Sequence, residues 1–211
     1  MQSIWTRTTL PVHPPLEGHH RCDAVVLGAG MAGILTAWFL RQHGLSVIVL
    51  EANRVGSGQT QNTTAKITAQ HGLCYAKLMD HFGAQDALRY ARAARQAVTD
   101  FRDIIAQEHI DCHLENLPSY LYSRYDPTTL KKERDAACDL GFGAEFVKKT
   151  CLPFPVEGAV LFPDQAQFHP LEFLRSVSKP LVIYEHSKVT DVSDHQVTTA
   201  HGTVTADHIL F

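Results

Sequence analysis

One glycine-punctuated stretch, DAVVLGAGMAGILTAWFLRQHGLSVIVLE at residues 23–51, constrains this chain more than any other. Its apolar residues 24–27 read as a buried strand, the run from residue 31 as a helix stopped by Gly44, and residues 47–50 as a second strand. Gly28, Gly30 and Gly33 form G-x-G-x-x-G between the first strand and the helix. The spacing gives each glycine its own role, with a tight turn at Gly28, close backbone approach to a pyrophosphate at Gly30, and close helix–strand packing at Gly33. The helix start then presents N–H groups where its dipole favours an anion. Glu51 closes the second strand, near the spacing of an acid that binds a ribose hydroxyl. An ADP-containing cofactor follows from this agreement. The acid disfavours a 2′-phosphate, which leaves FAD or NAD ahead of NADP.

A chain of 211 residues, 45% of them hydrophobic, can bury one large core or two small ones. A formal charge of −3 gives no reason to expect nucleic acid or an anionic membrane as partner. The apolar runs are too short and interrupted for a transmembrane helix, and MQSIWTRTTLPVHPPLEGHH lacks the apolar region of a signal peptide, so a cytoplasmic location is expected. Five scattered cysteines without C-x-x-C fit reduced thiols. His19, His20 and Cys22, or Cys112 and His113, have no second ligand pair at regular spacing, so no metal site is expected.

Before Arg21 the chain is proline-rich and expected to run extended over the surface. After Glu51, the polar, glycine-rich run ANRVGSGQTQNTTAKIT (residues 52–68) reads as a loop. It is either a plain surface loop or a source of backbone and hydroxyl donors for a cofactor. Residues 84–109 carry apolar positions at helical spacing, with Arg89, Arg92, Arg95 and Arg102 expected on a solvated face. Residues 114–122 read as strands broken at Pro118, residues 127–140 as a helix, and residues 157–162 as a strand, a set that reads as an inserted second domain. FHPLEFL leads into a short helix. From Leu181 onward, LVIYE, KVTDVS, QVTTA and TVTADHILF alternate in period two and read as an antiparallel meander. Its apolar ending, Ile-Leu-Phe, reads as a fold cut short.

DAVVLGAGMAGILTAWFL, LEANRVGSGQTQNTTAKIT, FHPLEFL and the KVTDV meander ending in ADHILF together resemble the FAD-dependent oxidoreductases of the D-amino-acid oxidase/glycine oxidase-like superfamily. The SIWT opening and TTAKIT-x-QHG resemble more narrowly a bacterial subgroup that often carries a C-terminal Rieske domain. The resemblance implies an α/β fold: a Rossmann-like FAD-binding domain with an inserted α+β substrate domain. Residues 1–72 and 169–211 would form the FAD-binding domain and residues 73–168 part of the substrate domain. It implies Gly28, Gly30 and Gly33 at the FAD pyrophosphate, with Ala32 beside them, and Glu51 at the ribose, next to Ala52. Arg54, Gly58, Gln59 and Thr60 would lie near the phosphates and ribitol, and Thr64, Ala65 and Lys66 near the flavin ring. Val189 would meet the adenine.

The family's later strands, its final glycine segment and any Rieske motif have no counterpart in this sequence, so the chain is expected to be the N-terminal part of such a fold. Three functions stay open. The first is a flavin oxidoreductase passing hydride from a carbon beside an amine nitrogen of a small-molecule substrate to FAD, with Lys66 as a cation and His71 as acid or base, or both as ordinary surface residues. The second is a cofactor-binding subunit that needs a partner chain or a second copy along its last strand. The third is an NAD-binding module, against which the GSGQTQNTTA loop argues, because such domains usually proceed directly into further strand–helix units.

Overall fold

The computed structural model describes residues 3–211 as two compact units. The first unit holds the residues up to 64, 110–112 and 169–211; the second holds 65–109 and 113–168. A one-turn 3-10 helix, Ile4–Arg7, opens the chain and is followed by β1 (Gly18–Leu27), α1 (Met31–Gln42), β2 (Val47–Leu50) and a second 3-10 turn, Gln59–Asn62. The second unit supplies β3 (Lys66–Ile67), α2 (Tyr75–Gln107), β4 (Glu115–Asn116), β5 (Ser119–Ser123), α3 (Thr128–Asp139), β6 (Glu145–Val147), β7 (Gly158–Phe162) and β8 (Ala166–Gln167). The chain then returns to the first unit as α4 (Pro170–Ser178), β9 (Val182–Tyr184), β10 (Val189–Ser193), β11 (Gln196–Thr199) and β12 (Gly202–Leu210).

The first unit is built on a six-stranded sheet in the order β10-β11-β12-β1-β2-β9. β12, β1, β2 and β9 run parallel, and β10 and β11 are antiparallel additions. All four β2 residues are buried, as parallel strands covered on both faces require. Alternation sends Val25, Ile48 and Leu50 to one face, where Leu16, Val197, Val204 and Ala206 join them. Ala24, Val26 and Val49 go to the other, the side of α1 with its buried Ile34, Ala37 and Trp38. From β1 the chain steps through β2 to β9 on one side, while β12 lies on the other. The strand order therefore reverses between β1 and β12, the place where open α/β sheets bind ligands at the strands' carboxyl ends.

Residues 181–185, expected as the first meander strand, instead provide β9, which pairs parallel with β2. Period-two alternation shows a strand but not its direction, and the preceding α4 carries the chain back to start the same way as β2. The meander keeps three strands, β10 to β12, and β12 hydrogen-bonds on both sides, to β11 and β1.

In the second unit β5, β7 and β6 form one antiparallel sheet and β3, β8 and β4 another. α2 starts earlier than the periodicity implies, at Tyr75, because Gly83 (φ +77) interrupts two helical stretches that run on from each other. Its buried stripe runs through Ala87, Ala91, Val98 and Ile105, of which Ala87 and Ala91 join a core with Leu130, Ala137, Val160 and Phe162. Arg89, Arg92 and Arg95 are exposed, as expected, and Arg102 is half-buried. Arg95 also donates to the Gly141 carbonyl at 2.8 Å and Arg102 to that of Asp164 at 2.7 Å. All five cysteines are free. Burial, then the charges of Asp111 and Glu172, pushes the Cys112 thiol up to about 11. No described helix is long and apolar enough to cross a membrane, and no described group of three His, Cys, Asp or Glu side chains could hold a metal ion.

Candidate nucleotide-binding site

The glycine turn occupies the carboxyl end of β1. Gly28 sits at φ +105, a conformation costly for any other residue, and donates to the Leu50 carbonyl at 2.8 Å. A Cβ on Gly33 would stand 2.0 Å from the Gly28 carbonyl oxygen, so only glycine lets α1 approach the turn this closely. Gly30 differs. Its added Cβ would meet only Thr60 Oγ1, at an ordinary 3.5 Å. Nothing among the described residues demands glycine there.

The first turn of α1 has donors to spare. Met31 N–H donates to Thr60 Oγ1 at 3.0 Å. Among the described residues the N–H groups of Gly30, Ala32 and Gly33 have no acceptor. These residues line a crevice of about 500 Å³ with Leu27, Gln59, Thr60, Leu210 and Phe211, between the carboxyl ends of β1 and β12. Unmet N–H groups at a helix start, beside open space, suit phosphate oxygens. The residues present therefore fit the pyrophosphate of a dinucleotide.

Glu51 holds the turn as well as facing out from it. One carboxylate oxygen accepts from Ala29 N–H and the other from Asn53 N–H, both at 2.8 Å. Each oxygen keeps a second lone pair, which a ribose diol can use. Ala52 follows at the exposed end of the strand. Arg54, expected near the phosphates, is engaged elsewhere: Nε lies 3.4 Å from Glu185 Oε2, and the guanidinium donates to the Leu10 and Pro11 carbonyls. Gly58 precedes the short 3-10 turn, whose Gln59 and Thr60 reach the crevice. Thr64 is exposed at the end of the first unit's opening segment. Val189 begins β10 and packs on the core beneath the sheet.

Ala65, Lys66 and His71 belong to the second unit. Ala65 is buried at φ +59, and Lys66 is exposed on β3. His71 Nδ1 lies 3.2 Å from the Tyr90 hydroxyl, at a pocket of about 410 Å³ lined also by Leu73, Cys74, Leu78 and Phe82. Burial pushes the Cys74 thiol and the Tyr90 phenol up, so both stay neutral there.

Sequence reasoning missed Glu185. It is fully buried, accepts from Val55 N–H at 2.8 Å and His13 N–H at 3.1 Å, and fixes the start of the loop after β2. A signal existed. Like Glu51, it is an acid placed directly after a short apolar strand, in VIYE as in VIVLE.

The sequence matches the family described as "FAD dependent oxidoreductase" over residues 23–211. It is 34% identical over 199 residues to the Bacillus subtilis (strain 168) protein named "Putative Rieske 2Fe-2S iron-sulfur protein YhfW", covering 90% of this chain and 39% of that protein. Among solved structures, L-amino acid deaminase from Proteus myxofaciens superposes with a TM-score of 0.73 at 16% identity, covering 99% of this chain and 48% of the other. Glycine oxidase from Geobacillus kaustophilus superposes at 0.66 with 18% identity, covering 90% and 54%. These structural likenesses concern the fold. The chain spans less than half the length of the curated relatives it matches.

Proposed function

The chain belongs to the FAD-dependent oxidoreductase family, and from that premise we propose that its first unit holds FAD for the oxidation of an amine or amino-acid-like small molecule. The observation that carries this reading is the crevice at the strand-order reversal, with the unmet N–H groups of Gly30, Ala32 and Gly33 beside it. When bound, FAD supplies the hydride acceptor for a carbon next to an amine nitrogen.

Each residue's part is a proposal of its own. Gly28, Gly30, Ala32 and Gly33 receive the pyrophosphate, with the α1 dipole favouring its charge. Glu51 accepts from the ribose hydroxyls, with Ala52 alongside, while its bonds to Ala29 and Asn53 keep the carboxylate oriented. Gly58, Gln59 and Thr60 serve the phosphates and ribitol. Arg54 acts with them by anchoring the loop, since its guanidinium is already bound to Glu185 and two carbonyls. Thr64, Ala65 and Lys66 are assigned to the flavin ring and the Val189 backbone to the adenine, on the family resemblance. Lys66 supplies a positive charge that favours a reduced, anionic flavin, and His71 a ring nitrogen able to take or give a proton.

A second reading rests on one further observation, the partial span of the relatives' length. In it the chain retains the cofactor and a partner polypeptide completes the catalytic site. A visible spectrum of the purified chain after gel filtration with FAD tests the common premise. A flavin band that co-elutes with the protein supports it. Folded protein that retains neither FAD nor ADP sinks it.

A further inference from the structure

The segment before β1 is tied to the first unit every few residues. Trp5 donates its indole Nε1–H to the Thr63 carbonyl at 2.8 Å and stands edge-on to the His169 ring, with centroids 4.8 Å apart. His169 Nδ1 accepts from Glu172 N–H at 3.3 Å as the cap of α4. The ring proton therefore sits on Nε2, which donates to Thr8 Oγ1 at 3.2 Å. Further along, Arg54 holds the Leu10 and Pro11 carbonyls, Glu185 holds His13 N–H, and Ser187 Oγ accepts from Leu16 N–H at 2.8 Å. A loosely draped terminal arm would not need so many bonds.

These bonds converge on the loop that reaches the nucleotide crevice. The loop leaves β2 through Val55, whose N–H is held by Glu185, and turns at Gly56 (φ +70). An added Cβ at Gly56 would touch Leu10 of the arm and Leu171 and Leu174 of α4. The 3-10 turn Gln59–Asn62 then carries Thr60 onto Met31 N–H, and Thr63 N–H closes that turn by donating to the Thr60 carbonyl at 3.4 Å. The Trp5 indole takes the carbonyl of that same Thr63. It pins the far end of the loop, three residues from the hydroxyl that reaches the helix start.

We propose that residues 3–16 are a strap that sets the shape of the cofactor loop, and that Trp5 is its positioning residue. The strap acts through Thr63 and touches no cofactor itself. Its consequence for binding rests on the nucleotide reading above, whereas its effect on the loop does not. Trp5→Phe keeps an aromatic ring to face His169 and removes the indole N–H together with the pyrrole part of the ring. Trp5 is half-buried, so the variant is expected to keep its fold.

The experiment compares wild type and Trp5→Phe by amide hydrogen exchange without ligand, then by titration with FAD and with ADP. Exchange over residues 56–64 is expected to rise about five-fold, the equivalent of one net hydrogen bond, with β1 and α1 unchanged. FAD affinity is expected to fall about five-fold relative to ADP affinity, because ADP ends at the pyrophosphate and FAD continues along the loop. Unchanged exchange over 56–64 overturns the proposal, and so does an equal rise in β1 and α1, which marks general destabilisation. Wild-type chain that binds neither FAD nor ADP overturns the nucleotide reading instead, and the exchange comparison alone then decides on the strap.

Discussion

At the start of α2, Glu133 of α3 accepts from three successive N–H groups: Cys74 at 2.9 Å, Tyr75 at 2.8 Å and Ala76 at 2.9 Å. At the start of α1, the Thr60 hydroxyl accepts from Met31 alone, and Gly30, Ala32 and Gly33 are left beside an open crevice. Both helices present the same orphan donors and the same favourable end of a dipole. The second unit fills its position with an internal carboxylate that is 0% exposed, so that the anion is part of the core. The first unit keeps its position open at the sheet's switch point. One N-terminus is finished by folding, and the other turns the N–H groups of Gly30, Ala32 and Gly33 to the crevice.

Removing the internal anion should give the largest effect. Glu133→Ala leaves three donors without an acceptor, two of them buried and that of Cys74 half-buried, and is expected to cost the second unit roughly 3 kcal/mol. Glu133→Gln retains one acceptor oxygen and should cost about half of that. Both tryptophans, Trp5 and Trp38, lie in the first unit, so their fluorescence serves as an internal control while exchange in α2 and α3 reports the loss. If α2 and α3 keep wild-type protection in Glu133→Ala, the comparison fails on its structural side.

The two later glycines of the motif separate fold from ligand on the other side. Gly33→Ala forces a Cβ to 2.0 Å from the Gly28 oxygen and should destabilise the first unit by about 3 kcal/mol. Gly30→Ala meets only a 3.5 Å contact with Thr60, so stability should stay within about 0.5 kcal/mol. Its ADP affinity should nevertheless fall by about ten-fold or more, because the methyl occupies the approach to the pyrophosphate. Thermal melts beside calorimetric ADP titrations check both halves. Undiminished ADP binding in Gly30→Ala removes the pyrophosphate from this turn.

How far the sequence shows these two helix starts depends on where their partners sit. The α1 start was legible because its strand, three glycines, helix and Glu51 lie in one 29-residue stretch, although Thr60, which caps Met31 N–H, lies beyond it. The α2 start was not. Its acceptor is 57 to 59 residues away in sequence, and nothing local marks Glu133 as buried rather than as one more acid on a polar helix. The same limit hid Trp5, whose acceptor is 58 residues on, and the role of Arg54. Strand direction was illegible for another reason. LVIYE alternates as any half-buried strand does, and only its pairing with β2 makes β9 parallel. Glu51 was legible as an acid in the right place, but its carboxylate's hold on the Ala29 N–H is a contact that composition cannot show.

The smallest expected effect is the sharpest test of what the open N-terminus is for. Thr60 is buried, and its hydroxyl accepts from Met31 N–H. Its own proton has no acceptor among the described residues, and the residue lines the crevice. A hydroxyl can accept and donate at once. Thr60→Val removes both functions at nearly constant volume and should cost the first unit about 1 kcal/mol, the net worth of one hydrogen bond. If the hydroxyl is only a plug, losing it frees one more N–H for an anion, and ADP should bind as well as before or tighter. If it relays the helix start to the phosphate, ADP affinity should fall about five-fold, and Thr60→Ser should restore it. Direct donation into the crevice predicts the second result. Tighter ADP binding by Thr60→Val would assign Thr60 to the same class as Glu133, an internal acceptor that folding supplies.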